Sequence, residues 1–153
     1  MNTYTEKRVL PCTLEQAFAL VADVEHYHEF VPAWLAARVV EREGDELIVD
    51  QVVGLGAFPL EFISHTTLKH PDHIHVVARD DPFRYLDINW FFEPSSPSGC
   101  LTRLSVEFEL SSSLLEGFLT MLFKISLRQI LSAFGKRARQ LYGRPAGSGQ
   151  AGA

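Results

Sequence analysis

The chain has little of what most chemistries require. It contains only two cysteines in 153 residues, Cys12 and Cys100, and these match no metal or redox spacing. Both are expected to be reduced and structural. Cationic side chains are outnumbered, 14 Lys and Arg against 19 Asp and Glu, for a formal charge of −5. That balance disfavours a strong nucleic-acid binder and gives no expectation of DNA as a partner, although a local basic patch runs from Lys136 to Arg139. Long apolar runs are missing too. The most apolar stretch is broken by Thr120, Lys124, Ser126 and Arg128, which makes it a poor membrane span. The N-terminal residues show neither a signal-type apolar segment nor an Arg/Ser-rich transit pattern, so a cytoplasmic protein is expected. There is no nucleophile elbow, phosphate loop or dinucleotide fingerprint, and no residue pattern asks for a cofactor.

What the chain does have is apolar surface and a long helical pattern. At 46% hydrophobic it can bury one ordinary core, and a single domain is expected over residues 1–143, followed by a disordered Gly/Ala/Ser tail over 144–153. Ser113 with Glu116 forms a capping box and Gly143 with Pro145 a stop. One helix of about 30 residues, roughly 45 Å, is therefore predicted between them. Its second half repeats Ile130, Leu131, Phe134, Ala138 and Leu141 at steps of three and four, the pattern of a helix lying on a core. Its first half, 114–127, is apolar all round apart from Glu116 and Lys124. Such a helix is buried all round or faces something apolar that is not protein.

Before that helix the period changes. Thr3 to Leu10 alternates as a strand; Thr13 and Gln16 form a capping box for a short amphipathic helix, and Asp23 caps a second short turn that stops at Val31-Pro32. Six strands follow, at 37–42, 46–53, 58–68, 74–79, 85–92 and 101–110, separated by Gly-, Pro- and Asp-containing turns. The last alternates cleanly, with Leu104, Val106, Phe108 and Leu110 against Arg103, Ser105, Glu107 and Glu109. One sheet face is wet and the other needs cover, and the terminal helix is the element long enough to supply it. An α+β fold is predicted: a curved antiparallel sheet of seven strands wrapped around the long C-terminal helix, with a gap between them suited to a ligand.

Three stretches carry a resemblance to a known family. Ala22 to Pro32 with Trp34 is close to an Asp-Val-Glu-x-Tyr-x-x-Phe-Val-Pro signature; Leu86 to Pro94 is similar to a Trp-x-Phe-x-Pro strand; and Cys100 to Gly143 looks like a strand plus long helix ending in Ala133-Phe134, Arg137-Ala138 and Tyr142-Gly143. Together they resemble the coenzyme-Q-binding branch of the START-like, or helix-grip, proteins (START/Bet v 1-like, polyketide cyclase/dehydrase superfamily), a branch that includes the bacterial ribosome-association toxin proteins. One departure is Gly135, where the family usually has an acidic residue. The resemblance implies binding of a hydrophobic isoprenoid quinone (ubiquinone) or related lipid between sheet and helix. It also implies a supporting role in quinone biosynthesis or respiratory electron transport; a role at the inner membrane would need only transient contact, which the apolar residues near Trp34 and Phe118 could provide. The ribosome is the alternative partner it implies, and a polyketide cyclase or aromatase the alternative activity.

Candidate ligand contacts follow. The resemblance places Phe30, Val31, Pro32 and Trp34 at the cavity mouth; a hydrophobic staple between helix and sheet is the plainer reading. Phe58 and Phe62 share a strand face, and Trp90 shares one with Leu86, Ile88 and Phe92; ordinary core packing competes for all of them. Phe118, Leu119, Leu122 and Phe123 lie on the half-helix with apolar residues to spare. His73 and His75 share a strand face at a spacing metals use, but no third ligand completes a site, and no metal is expected. His26 and His28 lie in the signature, where a surface role competes with a hydrogen bond to a quinone carbonyl. Under the cyclase reading Asp87, Asn89 and Arg79 are the acid/base candidates, and all three equally suit an exposed strand face. No catalytic residue is assigned.

Overall fold

The computed structural model describes residues 2–55, 58–95, 97–111 and 127–143. Strand β1 (Asn2–Leu10) leads into helix α1 (Leu14–Ala22) and a 3-10 helix (Val24–Glu29). Six strands follow: β2 (Trp34–Glu43), β3 (Glu46–Leu55), β4 (Phe58–Lys69), β5 (His73–Ala78), β6 (Phe83–Ser95) and β7 (Gly99–Leu110). Helix α2 (Leu127–Tyr142) ends the described chain. The predicted first half of the long helix, with its capping box, and the expected tail 144–153 lie outside the described residues.

The sheet has the order β1-β7-β6-β5-β4-β3-β2 and every neighbouring pair is antiparallel. β2 to β7 form a meander because each connection is a short turn. Between β2 and β3 the turn is Gly44-Asp45, with Gly44 at φ 61°, the left-handed geometry that two-residue hairpins use and glycine adopts without strain. Two register shifts in β2 (between Trp34 and Ala36, and between Val39 and Glu41) bend that edge of the sheet. The first strand is the exception to the meander: it pairs with the last, Leu10 opposite Cys100. The two short helices between β1 and β2 thereby become a lid over one end of the concave face.

Thr13 caps α1 as expected, its hydroxyl accepting from the Gln16 amide at 3.1 Å while the Gln16 side chain accepts from the Thr13 amide at 3.0 Å. Asp23 does not cap the 3-10 helix. It also closes α1, so its backbone sits at ψ 64° and not in the extended region that N-capping needs. Its carboxylate pairs instead with His26 Nδ1 at 2.8 Å.

The core lies between the concave face and the helices. Along β7, Leu104, Val106, Phe108 and Leu110 are buried. On α2 the buried stripe runs Leu127, Leu131, Phe134, Ala138, continuing to Tyr142, which packs against the core. Leu141, predicted to lie on that stripe, is 52% exposed. The last step of the stripe is four residues and not three, which turns position 141 outward.

Candidate functional site

Concave sheet, lid and α2 do not close on one another. A cavity of about 140 Å³ remains between them, roughly ten times the room one water needs. Val21 from α1, Tyr27 from the 3-10 helix and Val31 and Pro32 from the following turn form one end. Ala33, at φ 72°, turns the chain so that Trp34 begins β2 with its ring in the wall. The floor is the inward set of the strands, among them Val53, Phe62, Ile88 and Val106, and α2 supplies Leu127, Ile130 and Phe134.

None of the described lining residues carries a charge. The polar groups are few. Tyr27 hydroxyl donates to the Val21 carbonyl; burial, with Asp23 a lesser cause, holds its pKa well above the ordinary phenol value. Trp34 Nε1 donates to Gln51 Oε1 at 2.8 Å, and Gln51 Nε2 donates to Ser64 Oγ at 2.7 Å. Thr66 completes the polar set.

Of the residues singled out by sequence, Val31, Pro32, Trp34, Phe62 and Trp90 lie in the cavity wall. Phe30 does not. Its ring stands edge-on to Phe134 at 5.0 Å, and the Arg137 guanidinium sits 4.9 Å above it. It therefore ties the lid to α2. Phe58 has its backbone in β4 opposite Leu55, but its side chain, like Phe118, Leu119, Leu122 and Phe123, lies outside the described residues. Gln51 and Thr66 were not singled out. The signal for Gln51 was its phase, since Leu47, Val49, Gln51 and Val53 alternate and a polar residue falls on the apolar face.

The histidine and acid/base candidates lie elsewhere. Asp87 and Asn89 alternate along β6 with the inward Leu86, Ile88 and Trp90, so they face away from the cavity. There His75 Nε2 meets Asp87 Oδ1 at 2.9 Å and His73 Nε2 meets Asn89 Oδ1 at 2.7 Å. Arg79 donates to the Leu86 carbonyl at 3.3 Å, again outside the cavity. Among the described residues no three His, Cys, Asp or Glu side chains are grouped to hold a metal. His26 is an exposed partner of Asp23, whose hydrogen bond and charge raise its pKa. His28 reaches back to the Glu25 carbonyl at 3.1 Å. Cys12 and Cys100 are free thiols, both buried; burial, aided by Cys100, pushes the Cys12 thiol up to about 12, far from the range of a reactive thiolate.

Comparison with known proteins adds the following. The family described as polyketide cyclase/dehydrase and lipid transport matches residues 10–135. The ribosome association toxin RatA of Vibrio cholerae is 29% identical over 143 residues, 94% of this chain and 99% of that protein. The mitochondrial coenzyme Q-binding protein COQ10 of Drosophila melanogaster is 28% identical over 146 residues, 93% of this chain and 60% of that protein. Among solved structures, a START superfamily protein from Mycobacterium smegmatis matches with a TM-score of 0.77 over 91% of this chain and 98% of that one, at 17% identity. That likeness carries the helix-grip fold alone.

Proposed function

The chain belongs to the polyketide cyclase/dehydrase and lipid-transport family, and from that premise we propose that it is a carrier that binds an isoprenoid quinone such as ubiquinone, or a related lipid, in the cavity. The observation that carries this reading is an apolar cavity whose described lining is without a single charged side chain. Apolar lining gains from a hydrocarbon ligand by the ordinary hydrophobic effect. The likeness to a coenzyme Q-binding protein supports the quinone as its occupant. No described helix is long and apolar enough to cross a membrane, so loading from a bilayer proceeds by transient surface contact. Phe118, Leu119, Leu122 and Phe123 belong to the proposed site through their sequence pattern. The role served is quinone biosynthesis or respiratory electron transport.

The two tryptophans in the wall give the test. A short-tailed ubiquinone analogue titrated into the protein is expected to quench indole fluorescence saturably, and Trp34→Phe and Trp90→Phe are each expected to remove part of that signal. A linear, non-saturating response identical to that of free tryptophan would show that the cavity does not take the quinone.

Similarity to RatA over nearly the full length of both chains favours a second reading, a ribosome-binding protein that blocks subunit association. The charge of −5 opposes it. Sedimentation with ribosomes at physiological salt decides, because an RNA contact weakens steeply as salt rises. A cyclase activity has less support. The acid/base candidates Asp87, Asn89 and Arg79 lie on the far side of the sheet, and the described lining offers no carboxylate, imidazole or amine.

A further inference from the structure

The cavity wall is not uniform. Towards β5, β6 and β7 it presents carbon, with Ile74, Leu86 and Leu104. Towards β3 and β4 it has a strip of buried hydrogen-bonding groups: Gln51, 5% exposed, and Thr66, 8% exposed, line it, and Ser64, 0% exposed, accepts from Gln51 without lining it. Indole Nε1 of Trp34 can only donate, so the amide atom facing it is the Gln51 oxygen, which turns the Gln51 nitrogen towards Ser64. One of the two amide hydrogens is used in that bond; the other is left over. Ser64 and Thr66 are two residues apart on the same face of β4, opposite Val49 and Leu47 of β3, about 7 Å apart along the strand. The Thr66 side chain lines the cavity, and the residue is 8% exposed. Buried hydroxyls are ordinarily paired, and a ligand atom is the natural partner for one that faces an apolar cavity.

We infer that Thr66 and the remaining Gln51 amide hydrogen form a head-group subsite that selects an uncharged amphiphile with an oxygen acceptor, the class to which a quinone carbonyl belongs. The inference rests on the lipid-binding reading and narrows it. A carboxylate or phosphate head would enter a wall whose described residues supply no counter-charge, which is strongly unfavourable. A pure hydrocarbon would offer no acceptor to Thr66 or to the remaining Gln51 amide hydrogen. A neutral carbonyl or hydroxyl head supplies one, while the tail lies against β5 to β7.

The test titrates a short-tailed ubiquinone analogue, an isoprenoid hydrocarbon without oxygen and a fatty acid into the full chain, as wild type, Thr66→Val and Thr66→Ser. Thr66→Val is expected to weaken the quinone analogue about five- to tenfold, the size of one neutral hydrogen bond, and to leave the hydrocarbon unchanged; Thr66→Ser is expected to restore the quinone. A readout that needs no variant is the infrared carbonyl stretch of the quinone, expected to shift to lower frequency when bound to the wild type. The head-group assignment is overturned, with lipid binding still standing, by an unshifted carbonyl band, by unchanged quinone affinity in Thr66→Val, by equal losses for quinone and hydrocarbon, or by a fatty acid bound as tightly as the quinone. Failure of the wild type to bind any of the three overturns both.

Discussion

Phe134 is the residue on which the lid, the sheet and α2 converge. It is fully buried, and its ring lies 5.3 Å from Tyr27, 5.0 Å from Phe30 and 5.1 Å from Trp90. Phe134→Ala is expected to cost about 3–5 kcal/mol, measured by urea denaturation. Its neighbour Gly135 is the departure from the family pattern. A Cβ there would come within 3.1 Å of Arg8 Nε and 3.7 Å of Leu10 Cδ2, so α2 crosses β1 closely at this point. Arg8 is exposed and its long side chain can give way. Gly135→Ala is therefore expected to stabilise the protein by up to ~1 kcal/mol, the helix-propensity difference, read as a higher urea midpoint. Single residues were legible in the sequence where period alone decides the face, as for Leu104 to Leu110. Phe30 was not, because a half-buried aromatic beside a sheet and a helix can serve either, and only its contacts with Phe134 and Arg137 show which.

At the scale of elements, one charged contact among the described residues fastens the lid to α2. Arg137 pairs with Glu29 at the end of the 3-10 helix and covers the Phe30 ring. The hydrogen bond from Arg137 holds the Glu29 carboxyl below its ordinary value of about 4.5. A carboxyl with a depressed folded pKa stabilises the fold above its unfolded value, and that contribution disappears as pH falls through the folded value. Thermal melts of wild type and Glu29→Gln are thus expected to differ above pH 4.5 and to converge as the solution is acidified further. A gap that stays constant into acid would show that the pair does not fasten the lid. Most strands, and the capping box of α1, were legible because turns and period changes are local signals. The failed Asp23 cap shows the opposite case: two helical elements share one residue, and its backbone angle is set by both.

At the scale of the molecule, the meander could be read from its short turns, and the burial of one face required the terminal helix to cover it. The pairing of β1 with β7 is a long-range contact that no local pattern announces. It places the two short helices over one end of the sheet and so creates an enclosed end to the cavity. The cavity itself was expected from surplus apolar residues; its polar strip, Trp34 to Gln51 to Ser64, arises from inward positions on three different strands. Charge works at this scale too. With a formal charge of −5, any sedimentation with ribosomes is expected to be lost at physiological salt. The central claim is lipid carriage, and organic extraction of protein purified from a quinone-producing host, followed by mass spectrometry, tests it most directly. The account predicts a co-purifying isoprenoid quinone or related neutral lipid. An extract without lipid, from protein that also fails to bind quinone analogues, would contradict it.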